Sequence, residues 1–232
     1  MSDQAPLAGY GALAWTLWLI ASVRTLYTLR TQDKSIVVAA HGLMLLVAAA
    51  VLSLQGQHTT SAVWHLQPVW VGIVSLAPFA LLDWLLLRRH ALVRWPLDNG
   101  AQASRHAMLA ILGTGLGLAW FASLFAEGTP APLPYLPFFN PLELAQILYL
   151  GLLLAWYRDA SRDGKAWLDR AWRTRALVLI GFALLTSITL RAVHQLADLP
   201  WSFQLLQSTL AQAALAVVWS VAGIGAMLLG AR

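Results

Sequence analysis

Apolar runs of about twenty residues, each long enough to cross a hydrocarbon core of about 30 Å, recur from one end of this chain to the other. No other feature constrains the fold as tightly. Spans read near residues 8–28, 35–54, 67–87, 105–125, 141–157, 174–194 and 206–229, about seven in all. Composition agrees: 59% of the residues are hydrophobic and 11% charged, against roughly 25% charged in soluble domains. That leaves no room for a large soluble unit. The expected fold is all-α, a polytopic transmembrane helical bundle in which residues 1–232 form a single domain. The opening MSDQAPLAGYGALAWTL has neither a basic start nor a small-residue cleavage site, so its apolar run is expected to stay as the first span. The chain has no cysteine, which removes disulfides, thiolate metal sites and cysteine nucleophiles from consideration.

Charge placement gives the orientation. The first connection carries Arg30 and Lys34, the third Arg88, Arg89, Arg94 and Arg105, and the fifth Arg158, Arg162, Lys165, Arg170, Arg173 and Arg175. The connections at 55–66, 126–140 and 195–205 carry no lysine or arginine. Basic residues gather on the cytoplasmic side of short loops, so the N-terminus is expected outside and Arg232 inside. The net charge of +5 is thereby a topology signal whose natural partners are membrane lipids, and a nucleic-acid partner is not expected. The fifth connection, RDASRDGKAWLDRAWRT, reads either as an amphipathic interfacial turn dipping Trp167 and Trp172 toward headgroups or as a solvated basic loop.

The most constrained non-helical stretch is PAPLPYLPFFNPLELAQ, from Pro130 to Gln146. Pro130, Pro132, Pro134 and Pro137 each fix φ and remove a backbone donor, which forbids a regular helix up to Asn140. Asn140 then suits an N-cap, Pro141 the first helical position, and Glu143 the positive end of the helix dipole. This is expected to be a lid or re-entrant segment on the outer face.

Polar residues at membrane depth usually face the bundle interior in pairs, and two layers emerge. Near the cytoplasmic ends, Arg24, His41 and Asp83 sit roughly 6 to 9 Å deep, and a structural ion pair between Arg24 and Asp83 is expected with His41 nearby. The plainer alternative has Arg24 snorkelling and Asp83 meeting Arg88. The outer layer collects Glu143, Arg191, His194, Asp198 and Trp201, with Asn140, Gln146, Gln207 and Ser208 at similar depth. Arg191 and His194 are three apart and share a helix face, and a Glu143–Arg191 contact would leave His194 at the water boundary. As a catalytic set, His194 and Glu143 would move protons while Arg191, Asn140, Trp201 and Gln146 bind an anionic substrate. As a structural set, the same residues cap helix ends and hold the proline-rich loop down.

No cofactor is implied and no metal site is expected. His58, His65 and His194 face outside without HxxxH or HExxH spacing, and GxSxG, P-loop and DxD-type patterns are absent. Gly113, Gly115 and Gly117 in the fourth span, and Gly223 and Gly225 in the seventh, are expected to form packing seams. Trp64, Trp70 and Trp201 are expected to anchor the outer interface and Trp84 and Trp95 the inner one.

From about Trp95 onward, LPYLPFFNPLELAQ, LRAVHQLADLPW and the final TLAQAALAVVWSVAGIGAMLLGAR resemble the C-terminal portion of a bacterial multi-pass membrane family, domain of unknown function 2339. Where such chains commonly carry a second histidine, Gln195 stands here. The resemblance implies a multi-pass protein of the bacterial inner membrane and, since family chains are usually longer, a C-terminal module, a short member or a fragment. It implies no reaction. The leading expectation is a scaffold or subunit of an envelope system that meets a periplasmic or membrane protein partner or a lipid-linked glycan. The alternative is an enzyme or transporter acting on an anionic lipid-linked substrate at the outer leaflet.

Overall fold

The computed structural model describes residues 5–31, 35–89, 91, 95, 101–162 and 169–230. Those residues form seven α-helices and no strand: α1 Gly11–Thr28, α2 Ser35–His58, α3 Pro68–Leu87, α4 Ala101–Ser123, α5 Pro141–Arg162, α6 Arg170–Ala197 and α7 Thr209–Gly230. A π-turn, Thr59–Val63, prolongs α2, and a 3-10 turn, Phe203–Gln207, precedes α7. Local chemistry sets the ends. Pro68 opens α3 behind an extended Gln67. The Asp169 carboxylate caps α6 by accepting from the Trp172 amide at 2.7 Å, and Asp198, at φ +51°, closes the same helix in the left-handed region.

Among the described residues, five helical segments are long and apolar enough to cross a membrane: Ser35–Val63, Pro68–Leu87, Ser104–Ser123, Trp172–Ala197 and Thr209–Leu228. α1 and α5 fall short of that apolarity, α1 carrying Arg24 and α5 carrying Glu143, Gln146, Arg158 and Asp159. The expectation of seven crossings therefore exceeds what length and composition carry. The first of the five segments also runs on to Val63, through most of the connection expected at 55–66.

The core lies among α2, α3, α4 and α5. Leu82 and Leu86 of α3 pack with Met108, Leu109 and Leu112 of α4 and with Ala49 of α2, while Leu116 and Trp120 of α4 meet Ala145, Tyr149 and Leu152 of α5. Lipid is as apolar as leucine, so such an interface is held by close packing. Gly113 illustrates it: a Cβ there would lie 2.8 Å from the Trp156 ring, so the glycine lets that ring rest on the backbone. The expected seams at Gly115, Gly117, Gly223 and Gly225 are not found, since each faces open space. Gly42 against Met108 and Gly56 against Val74 make close approaches that the sequence reading passed over.

The two ends of the bundle differ in charge. At one end Asp159 of α5 pairs with Arg105 of α4 and, at 3.5 Å, with Arg89 just after α3. At the other, Trp70 near the start of α3 reaches Pro130 and Ala131, and α6 ends against the same 124–140 connection. Lys34, His90, Arg94, Lys165, Trp167 and Arg232 lie outside the described residues, and with them most of the expected interfacial turn.

Candidate functional site

The 124–140 connection follows α4, and although short turns satisfy the Leu133 and Phe139 amides, the carbonyls from Leu124 to Gly128 accept from no backbone amide and need other donors. Side chains supply them. Arg191 of α6 donates through Nε to the Ala126 carbonyl (2.9 Å) and through Nη2 to that of Ser123 (2.6 Å). Ser187, one turn earlier, donates to the Leu124 carbonyl, and Trp201 Nε1 to that of Phe125 (3.0 Å). Asn140 Nδ2 takes the Gly128 carbonyl at 2.7 Å, and Trp70 Nε1 those of Pro130 (3.3 Å) and Ala131 (3.0 Å). The final carbonyls of a helix have no partner of their own, and a guanidinium also complements the negative end of the helix dipole. Arg191 does both for α4.

The second half of the site is the start of α5. Asn140 Oδ1 accepts from the Leu142 amide at 2.9 Å, the N-cap that the sequence predicts. Glu143 turns back: its carboxylate accepts from the Phe138 amide and, at 2.9 Å, from the Tyr135 hydroxyl. Phe138 holds φ +69°, a left-handed kink that aims its amide at the carboxylate. Burial first, and the Glu143 carboxylate next, push the Tyr135 hydroxyl above its ordinary value, so it remains a donor.

The expected Glu143–Arg191 contact does not form. Glu143 is committed to the turn that precedes its own helix, and Gln146, three residues on, meets Arg191 instead: Nη1 donates to Gln146 Oε1 at 3.2 Å. Gln146 Nε2 in turn donates to Ser123 Oγ at 2.7 Å. Arg191, Glu143, Gln146 and Asn140 are all 0% exposed, so the cluster is packed shut. Gly128, at φ +78°, makes room for it, since a Cβ there would stand 2.8 Å from Arg191 Cδ.

His194 sits at the edge of this cluster. Nδ1 faces the Leu199 carbonyl, Nε2 lies 3.2 Å from Glu127 Oε1, and the ring meets Trp201 edge-on at 5.6 Å. The Thr129 hydroxyl, at 2.6 Å, is the largest influence holding the Glu127 carboxyl below its ordinary value; burial opposes it, and His194 adds to the lowering. Beside these groups opens a cavity of about 430 Å³ between α3, α4 and α5, lined by Ser123, Glu127, Thr129, Gln146 and Tyr149 among apolar neighbours. Arg191, Glu143, His194, Asn140, Gln207 and Ser208 do not line it. Of the polar lining, the sequence reading named Gln146 and missed Gln67, Ser123, Glu127, Thr129 and Tyr149, although Glu127 is the single acidic residue in an otherwise uncharged connection.

The inner layer departs from expectation too. Arg24 and Asp83 do not pair. Arg24 lies on the exposed face of α1, about 200° round the helix from Leu26, the residue that α1 buries against Val37 and Met44. Asp83 is 1% exposed, its Oδ1 has no hydrogen-bond partner, and no ion pair links it to Arg88. His41 lies near Ser104 Oγ and the Trp95 carbonyl, each at 3.3 Å. The buried cation of that end is Arg105, which donates to the Leu86 carbonyl at 2.8 Å and so closes α3 as Arg191 closes α4.

With this geometry in view, comparison with family descriptions decides the relationship: the family of predicted membrane proteins DUF2339 matches residues 1–232, the whole chain. The chain belongs to the DUF2339 family. The match extends through the first hundred residues, beyond the portion whose motifs carried the resemblance. No curated protein and no solved structure matches this DUF2339 chain. The family description reads predicted membrane protein and names no reaction; the several apolar helices make the chain a multi-pass one.

Proposed function

We propose that this DUF2339 chain is a non-enzymatic component of the bacterial inner membrane, a scaffold or subunit of an envelope system whose 124–140 connection is presented outward to a periplasmic or membrane protein partner or a lipid-linked glycan. One observation carries the reading: Arg191, Glu143, Asn140 and Gln146 are fully enclosed, and their hydrogen bonds go to the protein's own helix ends and loop. Groups so occupied hold a shape and offer no donor to a substrate. The shape they hold is a firm loop with Leu133, Leu136, Phe138 and Phe139 exposed, Phe139 at 73%. Exposed aromatic and leucine side chains on a pinned backbone suit a protein or membrane contact.

The test is comparative. Arg191, Glu143 and His194 are replaced singly by alanine, and folded yield in detergent is measured beside an envelope phenotype. Function should fall in step with folding for Arg191 and Glu143. Phe139→Ser and Leu136→Ser should lose function in a normally folded protein.

A second reading, an enzyme or transporter for an anionic lipid-linked substrate, draws support from the open cavity beside the Glu127–His194 pair. There the proton-transfer group would be Glu127 assisted by His194, with Glu143 and Arg191 in supporting roles. Loss of function on Glu127→Gln, with the loop-surface variants active, would favour it over the scaffold.

A further inference from the structure

At the arginine-bearing end of the bundle, α3 and α5 enclose a second cavity of about 420 Å³. Its α5 wall is a single helix face, Leu148, Gly151, Leu152, Ala155, Arg158 and Arg162, spaced at three, four, seven, ten and fourteen residues from the first. From Leu148 to Arg158 this wall runs about 15 Å along the helix, apolar for its whole length until the guanidinium. The opposite wall is Trp84 and Leu87 of α3, and Arg88 stands at their rim, its guanidinium 5.7 Å from the Trp84 ring.

Gly151 and Ala155 are small residues four apart, the pattern that normally seats a neighbouring helix. Among the described residues no helix sits there: a Cβ at Gly151 meets nothing within 4 Å. The groove ends in three exposed arginines, Arg88, Arg158 and Arg162. One carboxylate also lines it, Asp159, and this is already neutralised by Arg105 and Arg89. The rim is therefore strongly positive above a narrow apolar trough. A helix seated here would have to bring carboxylates to that rim, whereas an anionic phospholipid brings a phosphate and a hydrocarbon chain already joined at the right end.

We infer that this groove is a binding site for an anionic glycerophospholipid, its phosphodiester held by Arg88, Arg158 and Arg162 and one acyl chain laid along Leu148, Gly151, Leu152 and Ala155. Basic pockets between membrane helices recognise lipid headgroups in this way, through a local charge that exceeds the general attraction of a basic face. The site is separate from the loop cluster at the opposite end and stands whether or not the scaffold reading holds.

Full-length protein is purified in detergent, titrated with phosphatidylglycerol or phosphatidylcholine, and its retained lipid counted by native mass spectrometry. Phosphatidylglycerol should be retained in preference, and replacing Arg88, Arg158 or Arg162 by glutamine should weaken it about fivefold per arginine removed while leaving phosphatidylcholine unchanged. Gly151→Leu fills the trough from a position with open space, so the helix should keep its fold while both lipids are lost. Equal retention of the two lipids, or a triple glutamine variant that keeps phosphatidylglycerol like the parent, would overturn the inference. So would binding of soluble glycerol phosphate as tight as that of the lipid, which would make this a free-phosphate site. Gly151→Leu that dissolves a dimer and leaves lipid retention intact would make the groove a helix seat instead.

Discussion

Arg191 does at one position what usually takes several residues: it closes α4, pins the connection that follows and engages the first turns of α5 through Gln146. Removing it leaves the part-buried Ala126 carbonyl without a donor, at about 1–3 kcal/mol, and the Ser123 carbonyl with the Ala126 amide alone. Arg191→Ala should therefore lower the thermal midpoint in detergent steeply, and Arg191→Lys should fall between, since one ammonium keeps the charge without the planar fork. Circular dichroism melting of the three proteins checks the order. Glu127 is a gentler case because its side chain is 52% exposed. Its carboxyl is held below the ordinary value, so its contribution is present above that value and lost as pH falls through the lowered one. Glu127→Gln should be less stable than the parent at pH 7, by under about 1 kcal/mol, and the two melting curves should converge as the pH falls through the lowered carboxyl value.

At the scale of elements, both buried arginines serve the ends of helices other than their own, Arg105 for α3 and Arg191 for α4. This is a way to end a helix in a protein with little water to solvate its last carbonyls. The following loop extends the same device, with Trp70 and Trp201 donating indole N–H groups to backbone carbonyls as well as sitting near a membrane face. Trp70→Phe keeps the ring and deletes the donor. Hydrogen exchange at the Leu133, Tyr135 and Leu136 amides should then rise about fivefold while the helices remain protected, the net worth of one such bond being about 1 kcal/mol. Rapid exchange throughout α3 as well would show that the indole supports the helix and not the loop.

For the whole molecule, a compact core of α2 to α5 is flanked by α1, which buries Leu26 against α2, and by the α6–α7 hairpin. The hairpin joins the core through Ile180, Ala183 and Leu184, packed against the α4–α5 cluster, and through the polar end of α6, Ser187, Arg191 and His194, with Trp201 beyond it. The charge difference between the two ends predicts which faces water on each side of the membrane. The chain has no cysteine, so single cysteines report cleanly. In intact cells an impermeant maleimide should label Leu136→Cys, and should label Arg162→Cys only after permeabilisation. The reverse pattern would invert the bundle.

Residue pattern alone was enough for the helical class, because twenty apolar residues in a row leave a backbone few alternatives, and for the start of α5, because Asn140 and Pro141 act on their own helix. Charge likewise separated the connections rich in arginine from those that carry no lysine or arginine. Pairing across helices was another matter. Depth along the sequence placed Glu143 level with Arg191 and Arg24 level with Asp83, but whether two groups meet depends on rotation about each helix axis and on nearer acceptors. Only the packed bundle turned Arg24 outward, gave Gln146 and the ends of α4 to Arg191, and left Glu143 to the loop before it, since hydrogen bonds in a crowded interior go to whichever group the neighbouring backbone brings within about 3 Å.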